Sequence, residues 1–215
     1  MKRFAILVLF GIMATSCQQT NTLNPEIIKP ELDSIMVLDQ KYRNQLMSVY
    51  QEEGEDSKAF KELLEKQMKI DSSNLVYVED LIARYGKYPG KSLVGNEYKD
   101  VAFFVLQHNP DSIQQRYLDL ILKAAKEGEL DKGSAAMFYD RYLIGIGEPQ
   151  MYGSQVGRKI TLDSLTGIGK EKIFIYPIRD TTAIDSLRIW NGLSPLEAYL
   201  NNFGLSRWNE ADYKN

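Results

Sequence analysis

The sequence of 215 residues contains one cysteine, Cys17, and one histidine, His108. No cysteine follows Cys17, which excludes disulfide bonds and thiol catalysis in the rest of the chain. A single histidine, without an H-E-x-x-H or a paired E-x-x-H motif, argues against a zinc site and against a di-iron bundle. We therefore predict no metal centre.

Three further features are missing. The sequence has no G-x-S-x-G element, which excludes a serine hydrolase of that kind. The stretch GIGKEK lacks the full glycine spacing of a phosphate loop and the Ser or Thr after Lys170, so we predict a hairpin turn there and no cofactor. The 26 Lys and Arg residues form no cluster and are outnumbered by 29 Asp and Glu, so nucleic acid is not an expected partner.

The N-terminus has the features of a secretory signal. Lys2 and Arg3 form a basic head, and the hydrophobic run over residues 4–14 is too short to span a bilayer. Small residues then precede Cys17 and resemble a bacterial lipobox, in which the cysteine is lipidated with acyl chains such as palmitate. The alternative is an ordinary signal peptide with a chance cysteine.

These features predict the domain organisation and the location. We expect a lipoprotein signal peptide over 1–16, a polar tether over 17–29 and a single mainly helical domain over 30–215. Several acyl chains on Cys17 hold a protein firmly to a membrane. No Asp directly follows Cys17, which favours the bacterial outer membrane, facing the periplasm.

Hydrophobic periodicity and capping residues predict a mainly α fold, a helical bundle-like domain with a small β-hairpin near the C-terminal third. Pro30, Ser57, Asn109 and Asp131 are placed to begin helices, and glycines are placed to end them. The predicted helices cover about 30–53, 57–86, 97–108, 110–128, 131–146, 181–191 and 195–203, with a loop over 85–95. The segments SQVGRKITL and EKIFIYPI flank DSLTGIGK and predict the hairpin.

Polar residues interrupt the apolar faces of the first two predicted helices. Asp39 lies near the middle of the first apolar arc, and Arg43 falls inside it. Asp71 lies near the centre of the second stripe, with Asn74 and Gln67 toward one side. Each helix therefore directs a carboxylate at the interior.

The fourth and fifth predicted helices also carry polar residues within their apolar faces. Asp140 and Arg141 are the only interruptions in an almost wholly apolar segment. Adjacent residues on a helix point about 100° apart, so each needs a partner from another segment. Asp111 lies over the apolar face of the fourth helix and at its positive end, with Gln115 one turn on.

Two interpretations of these residues stay open. In the first, a shared interhelical cleft is lined by Asp39, Arg43, Asp71, Asn74, His108, Asp111, Gln115, Asp140 and Arg141. In the second, the charges form separate internal ion pairs, such as Asp39 with Arg43 at i,i+4. Ion-pair networks resemble active sites in this respect.

His108 lies beside Gln107 and three residues before Asp111. It can reach Asp111 across the turn, and a carboxylate from Asp111 or Asp140 would orient the ring as an acid or base near neutral pH. These three residues are the candidate catalytic set. Alternatively, His108 only satisfies backbone groups of the loop.

The segment GEPQMYGSQ presents Gln150, Tyr152 and Gln155 around Gly153. Amides and a phenol on a glycine-bent loop suit a polar ligand such as a sugar or a peptide. Equally, these side chains can satisfy helix ends.

Several stretches together resemble a bacterial domain family of unknown function. They are KSLVG, QHNPDSIQQRYLDLI, AAKEGEL and YDRYLIGIGEPQMYGSQ, with weaker similarity on both sides over nearly all of the mature chain. Tyr88 stands where the family often has Trp, and Ser154 where it usually has Thr. The resemblance implies which residues to examine, Gln107 among them, and implies no activity.

We predict a membrane-anchored lipoprotein that binds a small polar ligand in an interhelical cleft. The alternative from another class is an envelope enzyme that uses His108 with a carboxylate as acid or base, with Arg43 or Arg141 holding an anion. A third possibility is a scaffold lipoprotein whose buried charges only specify helix register.

Overall fold

The computed structural model describes residues 23–162 and 169–205. The described chain is mainly helical with one two-stranded antiparallel sheet in its C-terminal part, which confirms the predicted fold class. The predicted signal peptide, Cys17 and the first part of the predicted tether lie outside the described residues, as do residues 163–168 of the predicted hairpin turn DSLTGIGK. None of the described helices combines the length and the apolarity that crossing a membrane requires.

The elements follow one another along the chain in a simple order. They are α1 (Pro25–Gln40), α2 (Arg43–Glu53), α3 (Lys58–Tyr85), α4 (Lys91–Val94), α5 (Val101–Gln107), α6 (Asp111–Lys126), α7 (Lys132–Gly145), β1 (Val156–Leu162), β2 (Gly169–Ile175), α8 (Ile184–Trp190) and α9 (Leu196–Asn201).

The first helix begins earlier than the sequence predicted. Asn24 is its N-cap, and the side-chain oxygen of Asn24 accepts a hydrogen bond of 3.0 Å from the amide of Glu26. Pro30 consequently lies inside α1 instead of opening it. Ile28 is only 4% exposed and belongs to the core, so the segment predicted as a tether already contributes to the fold at its C-terminal end.

The predicted helix over 30–53 is divided at Lys41 and Tyr42, and the cause is a side chain from α3. The Gln67 amide accepts a hydrogen bond from the Tyr42 amide at 3.1 Å and donates to the Asp39 carbonyl oxygen at 3.0 Å. Both backbone groups are thus satisfied by a side chain at the break, and an inserted side chain is a known cause of helix interruption. The second helix then starts at Arg43.

The long helix α3 has the ends that the sequence predicted. Ser57 caps it, since its hydroxyl oxygen accepts a hydrogen bond of 3.1 Å from the Phe60 amide. Gly86 ends it in the left-handed conformation with φ +76°, which glycine adopts without strain. This helix carries Gln67, Asp71 and Asn74 on its buried face.

Several predicted boundaries and caps differ. The loop over 85–95 contains the short helix α4, and the predicted helix over 97–108 is reduced to α5. Asn109 does not cap α6, because its amide donates to the Val105 carbonyl oxygen at 2.8 Å and so completes the end of α5. Asp131 occupies the N-cap position of α7 but makes no capping bond, and its carboxylate lies 2.8 Å from the Lys99 ammonium.

The main core joins α1, α3, α5, α6 and α7. Its fully buried side chains include Val78, Leu81, Leu106, Ile121 and Phe138. A smaller cluster joins the end of β2 to α8 and α9 through Ile175, Ile178, Ile184, Leu196 and Leu200. The loop between α7 and β1 lies between these two apolar regions in the chain order.

Candidate functional site

Arg43 joins the first three helices through two carboxylates. Its Nη2 lies 2.7 Å from Asp71 Oδ1 and 3.2 Å from Asp39 Oδ1. Asp39 is 1% exposed, and Asp71 is buried as well. Removing two carboxylates from water is costly unless a cation and hydrogen-bond donors compensate them. The i,i+4 pair of Asp39 and Arg43 is therefore present, as part of a larger network.

Two amides complete this network. Gln67 Nε2 donates to Asp71 Oδ1 at 2.8 Å, and Gln40 Nε2 donates to Asp39 Oδ2 at 2.7 Å. Gln67 has a second role here, since the same side chain binds the backbone at the break between α1 and α2. Its position four residues before Asp71 on one helical face was a sequence signal for this contact.

His108 closes α5 and binds Asp39. Its Nδ1 lies 3.0 Å from the Asp39 carboxylate, and its ring stacks on Phe104. The sequence predicted Asp111 or Asp140 as the carboxylate that orients this ring, and the structure corrects that prediction. Asp111 instead packs against Gly145 of α7, where a Cβ atom would stand 2.7 Å from its carboxyl carbon.

The surroundings keep Asp39 ionised. Burial raises the pKa of its carboxyl, but the hydrogen bond and charge of His108 and the charge of Arg43 outweigh burial and hold the pKa below its usual value. Asp39 is therefore an anion at neutral pH and a fixed acceptor for the His108 ring.

Arg141 lacks the compensation that Arg43 has. Its Nη1 reaches the Gln107 carbonyl oxygen at 3.4 Å, and among the described residues no carboxylate lies within ion-pair distance. Burial lowers the pKa of Arg141, and the positive charge of Arg43 lowers it further, because the two guanidinium groups are close enough to repel each other.

Among the described residues, three buried donors on α2, α3 and α7 have no hydrogen-bond partner. They are Arg43 Nε, Asn74 Nδ2 and Arg141 Nε. Asn74 lies one helical turn after Asp71, and Arg141 is linked through Gln107 to the neighbouring His108. We refer to Arg43, Asn74, His108 and Arg141 as the two-arginine site.

Asp140 belongs to a different cluster, formed with the loop that follows α7. It is fully buried, and its carboxylate accepts hydrogen bonds from the amides of Met151, Tyr152 and Ser154 at 2.7, 2.9 and 2.9 Å. The Ser154 hydroxyl adds a fourth donor at 2.8 Å. Burial raises the pKa of Asp140, and these hydrogen bonds oppose the rise. Because every partner is a donor, the carboxylate orders the loop and is not available to orient His108.

Arg188 binds carbonyl oxygens of the same loop, whereas Asp140 binds its amides. The sequence did not predict this role for Arg188. It is 1% exposed, and its Nη1 donates to the carbonyl oxygens of Tyr152 and Gly153 at 2.7 and 2.9 Å. Its Nε donates to the Ser194 carbonyl oxygen at 2.6 Å, and the guanidinium carbon lies 4.9 Å from the Tyr199 ring centre. Its position four residues after Ile184 in an apolar segment was the only signal in the sequence.

The glutamines of the loop satisfy backbone groups. Gln150 is fully buried, donates to the carbonyl oxygens of Gln155 and Tyr176 at 3.1 and 2.9 Å, and accepts from the Gln155 amide. The Gln155 side chain donates to the Met137 carbonyl oxygen at 3.2 Å. Tyr152 packs edge-on against an aromatic neighbour in α7. Both glutamines therefore satisfy backbone groups, but none of these groups lies at a helix end, where the alternative interpretation expected them.

The predicted single cleft is thus divided. Direct contacts join Asp39, Arg43, Asp71 and His108, and Arg141 binds the backbone carbonyl oxygen of Gln107, the residue before His108. Asn74 is buried one helical turn after Asp71, and its Nδ2 has no hydrogen-bond partner. Asp111 and Gln115 are exposed and do not join them, whereas Gln114, which was overlooked, is buried beside Gln107 and donates to its carbonyl oxygen at 3.3 Å. Within 23–162 and 169–205, no three His, Asp or Glu side chains lie close enough to hold a metal ion.

The fold and site define a mainly helical protein with a polar network where α1, α2 and α3 meet. A second feature is the loop after α7, which the opposite charges of Asp140 and Arg188 hold in place. The chain belongs to DUF6624, a family of unknown function, whose sequence model matches residues 26–206. This match confirms the resemblance to a family of unknown function. No curated protein and no solved structure matches the chain.

Proposed function

We propose that the protein binds a small polar ligand at the two-arginine site, as a lipoprotein held on the outer membrane through Cys17. One observation carries the ligand part of the proposal. Arg43 Nε, Asn74 Nδ2 and Arg141 Nε are buried donors without an acceptor. A buried donor without a partner costs about 1–3 kcal/mol, and native structures keep few such groups without a reason.

A purely structural network would have a different composition. Both buried carboxylates of the region, Asp39 and Asp71, are already bound to Arg43. A scaffold gains nothing from a second half-buried guanidinium, Arg141, that is repelled by the charge of Arg43. A ligand with several acceptor atoms would relieve the repulsion and satisfy the orphan donors, which is why binding is favoured over a scaffold role.

The arginine Nε–H groups allow a direct test. In ¹⁵N NMR spectra, we expect the side-chain signals of Arg43 and Arg141 to shift when a binding compound is added. The panel consists of acetate, inorganic phosphate, acetamide, glycerol and glucose. The signal of Arg116, which is exposed and paired with Glu79, is the internal control. Unchanged Arg43 and Arg141 signals across the whole panel would refute ligand binding at this site.

A specific contact supports catalysis as the second candidate. The Asp39 carboxylate binds His108 Nδ1 and so orients the ring, and no other hydrogen bond engages that ring within the described residues. Nε2 is then available to donate or accept a proton. An enzyme would convert the bound compound, and His108→Gln would abolish product signals while the Arg141 shift persists. A binding protein would show the shift and no product in either variant.

A further inference from the structure

We infer that the two-arginine site recognises a monoanionic carboxylate group of its ligand, with Arg141 as the principal cation. This inference rests on the proposed function and narrows the class of ligand. It follows from how charge and hydrogen-bond donors are distributed around Arg43 and Arg141.

The network contains two carboxylates and two guanidinium groups, so its formal charges sum to zero, but both carboxylates contact the same guanidinium. Asp39 and Asp71 both lie on Arg43, at 3.2 and 2.7 Å. Arg141 has no carboxylate within ion-pair distance among the described residues, and its hydrogen bond to the Gln107 carbonyl oxygen is long, at 3.4 Å. No described carboxylate therefore compensates the charge of Arg141, and an anionic ligand would supply that compensation.

The donors that are still free match a carboxylate. Both contacts of Arg43 to carboxylates use Nη2, which leaves its Nε without an acceptor, and the Nε of Arg141 is also without one. A guanidinium presents parallel N–H groups that fit the two oxygens of a carboxylate. The Nδ2 group of Asn74 offers a third, neutral donor, which suits a further acceptor oxygen or nitrogen of the same ligand.

The fixed carboxylates limit the charge of the ligand. The two carboxylates and two arginines are formally neutral together, leaving His108 aside. A ligand with one negative charge therefore makes the total formal charge of the site −1. A phosphate monoester carries about −1.5 to −2 at pH 7 and would stand close to Asp39 and Asp71 as well as to the arginines. Repulsion from these two anions disfavours the dianion, so a carboxylate is the better occupant than a phosphate.

Acetate, acetamide and inorganic phosphate test this inference as matched probes at constant ionic strength. We expect acetate to shift the Nε–H signals of Arg43 and Arg141 in a saturable way, with phosphate and acetamide each binding at least about tenfold more weakly. Arg141→Gln should weaken acetate binding about tenfold or more, Arg141→Lys less because the charge remains, and Arg116→Gln not at all. Arg141→Lys also serves if the Gln variant does not fold.

The possible failures are distinguishable. If acetamide binds as well as acetate and Arg141→Gln changes neither, the carboxylate inference is wrong although polar ligand binding stands. If phosphate binds as tightly as acetate, the restriction to a monoanion is wrong. If no compound shifts either arginine signal, the proposed function fails together with the inference.

Discussion

Asp140 and Arg188 bind opposite polar edges of the same loop. The Asp140 carboxylate accepts from backbone amides within residues 151–154, and the Arg188 guanidinium donates to the carbonyl oxygens of Tyr152 and Gly153. Tyr152 is held by both, its N–H by the anion and its carbonyl oxygen by the cation. Two buried charges are thereby compensated through a peptide segment and not by direct contact.

Asp140→Asn should destabilise the fold by about 3 kcal/mol. The substitution removes the charge and turns an NH₂ group toward amide donors, which leaves buried donors unsatisfied. The free energy of unfolding from urea titrations measures the effect. Asp119→Asn, at an exposed position of α6, is the matched control and should change it by less than about 0.5 kcal/mol. Equal stability of the two variants would contradict the role of Asp140.

Arg188→Lys should cost about 2–3 kcal/mol, because lysine keeps the charge but cannot reach three carbonyl oxygens with a planar group. The double variant with Asp140→Asn should be less destabilised than the sum of the single variants, by about 0.5–3 kcal/mol, since both residues order one loop. Strict additivity in urea unfolding would show that the two residues act independently.

Gln67→Leu should destabilise by about 2 kcal/mol. Leucine has a similar size but leaves the Tyr42 amide, the Asp39 carbonyl oxygen and the Asp71 carboxylate without the partners that Gln67 supplies. Lys66→Leu, at the adjacent exposed position, is the control. Thermal unfolding monitored by circular dichroism distinguishes them, and a wild-type melting temperature for Gln67→Leu would contradict the account of the helix break.

Asp39 should make the fold sensitive to acid. Its folded-state pKa is lowered, so it contributes stability that is fully present above its unfolded pKa of about 4 and is lost as the pH falls through the folded value. Urea unfolding of the wild type between pH 7 and pH 3 should show this loss. Asp39→Asn should be less stable at pH 7 and should lose less on acidification. Parallel pH profiles for the two proteins would show that Asp39 does not carry the dependence.

Cys17→Ala should release the protein from membranes. If acyl chains on Cys17 are the anchor, their removal eliminates the hydrophobic stabilisation of about 0.8 kcal/mol per buried methylene. Immunoblots of membrane and soluble fractions measure the distribution, and Ser16→Ala serves as a nearby control that retains the cysteine. Continued retention of Cys17→Ala in the membrane fraction would reject the lipobox prediction.

Local sequence patterns predicted elements whose ends depend on nearby residues. The cap at Ser57 and the stop at Gly86 were predicted correctly because both act within a few residues of backbone. The division between α1 and α2 was missed because Gln67, which is 25 residues from Tyr42 in the chain, causes it. A periodic pattern does not contain information about an inserted side chain from another helix.

The site shows the same contrast between what the sequence by itself determined and what only the tertiary structure decided. Helical periodicity was sufficient to show that Asp39, Asp71, Asp140 and Arg141 point inward, because that direction follows from spacing along one helix. The partners were decided by packing between distant segments. This packing places His108 against Asp39 and places backbone amides of the loop after α7 against Asp140. Burial creates the need for a partner, and only the relative placement of helices determines which polar atom meets it.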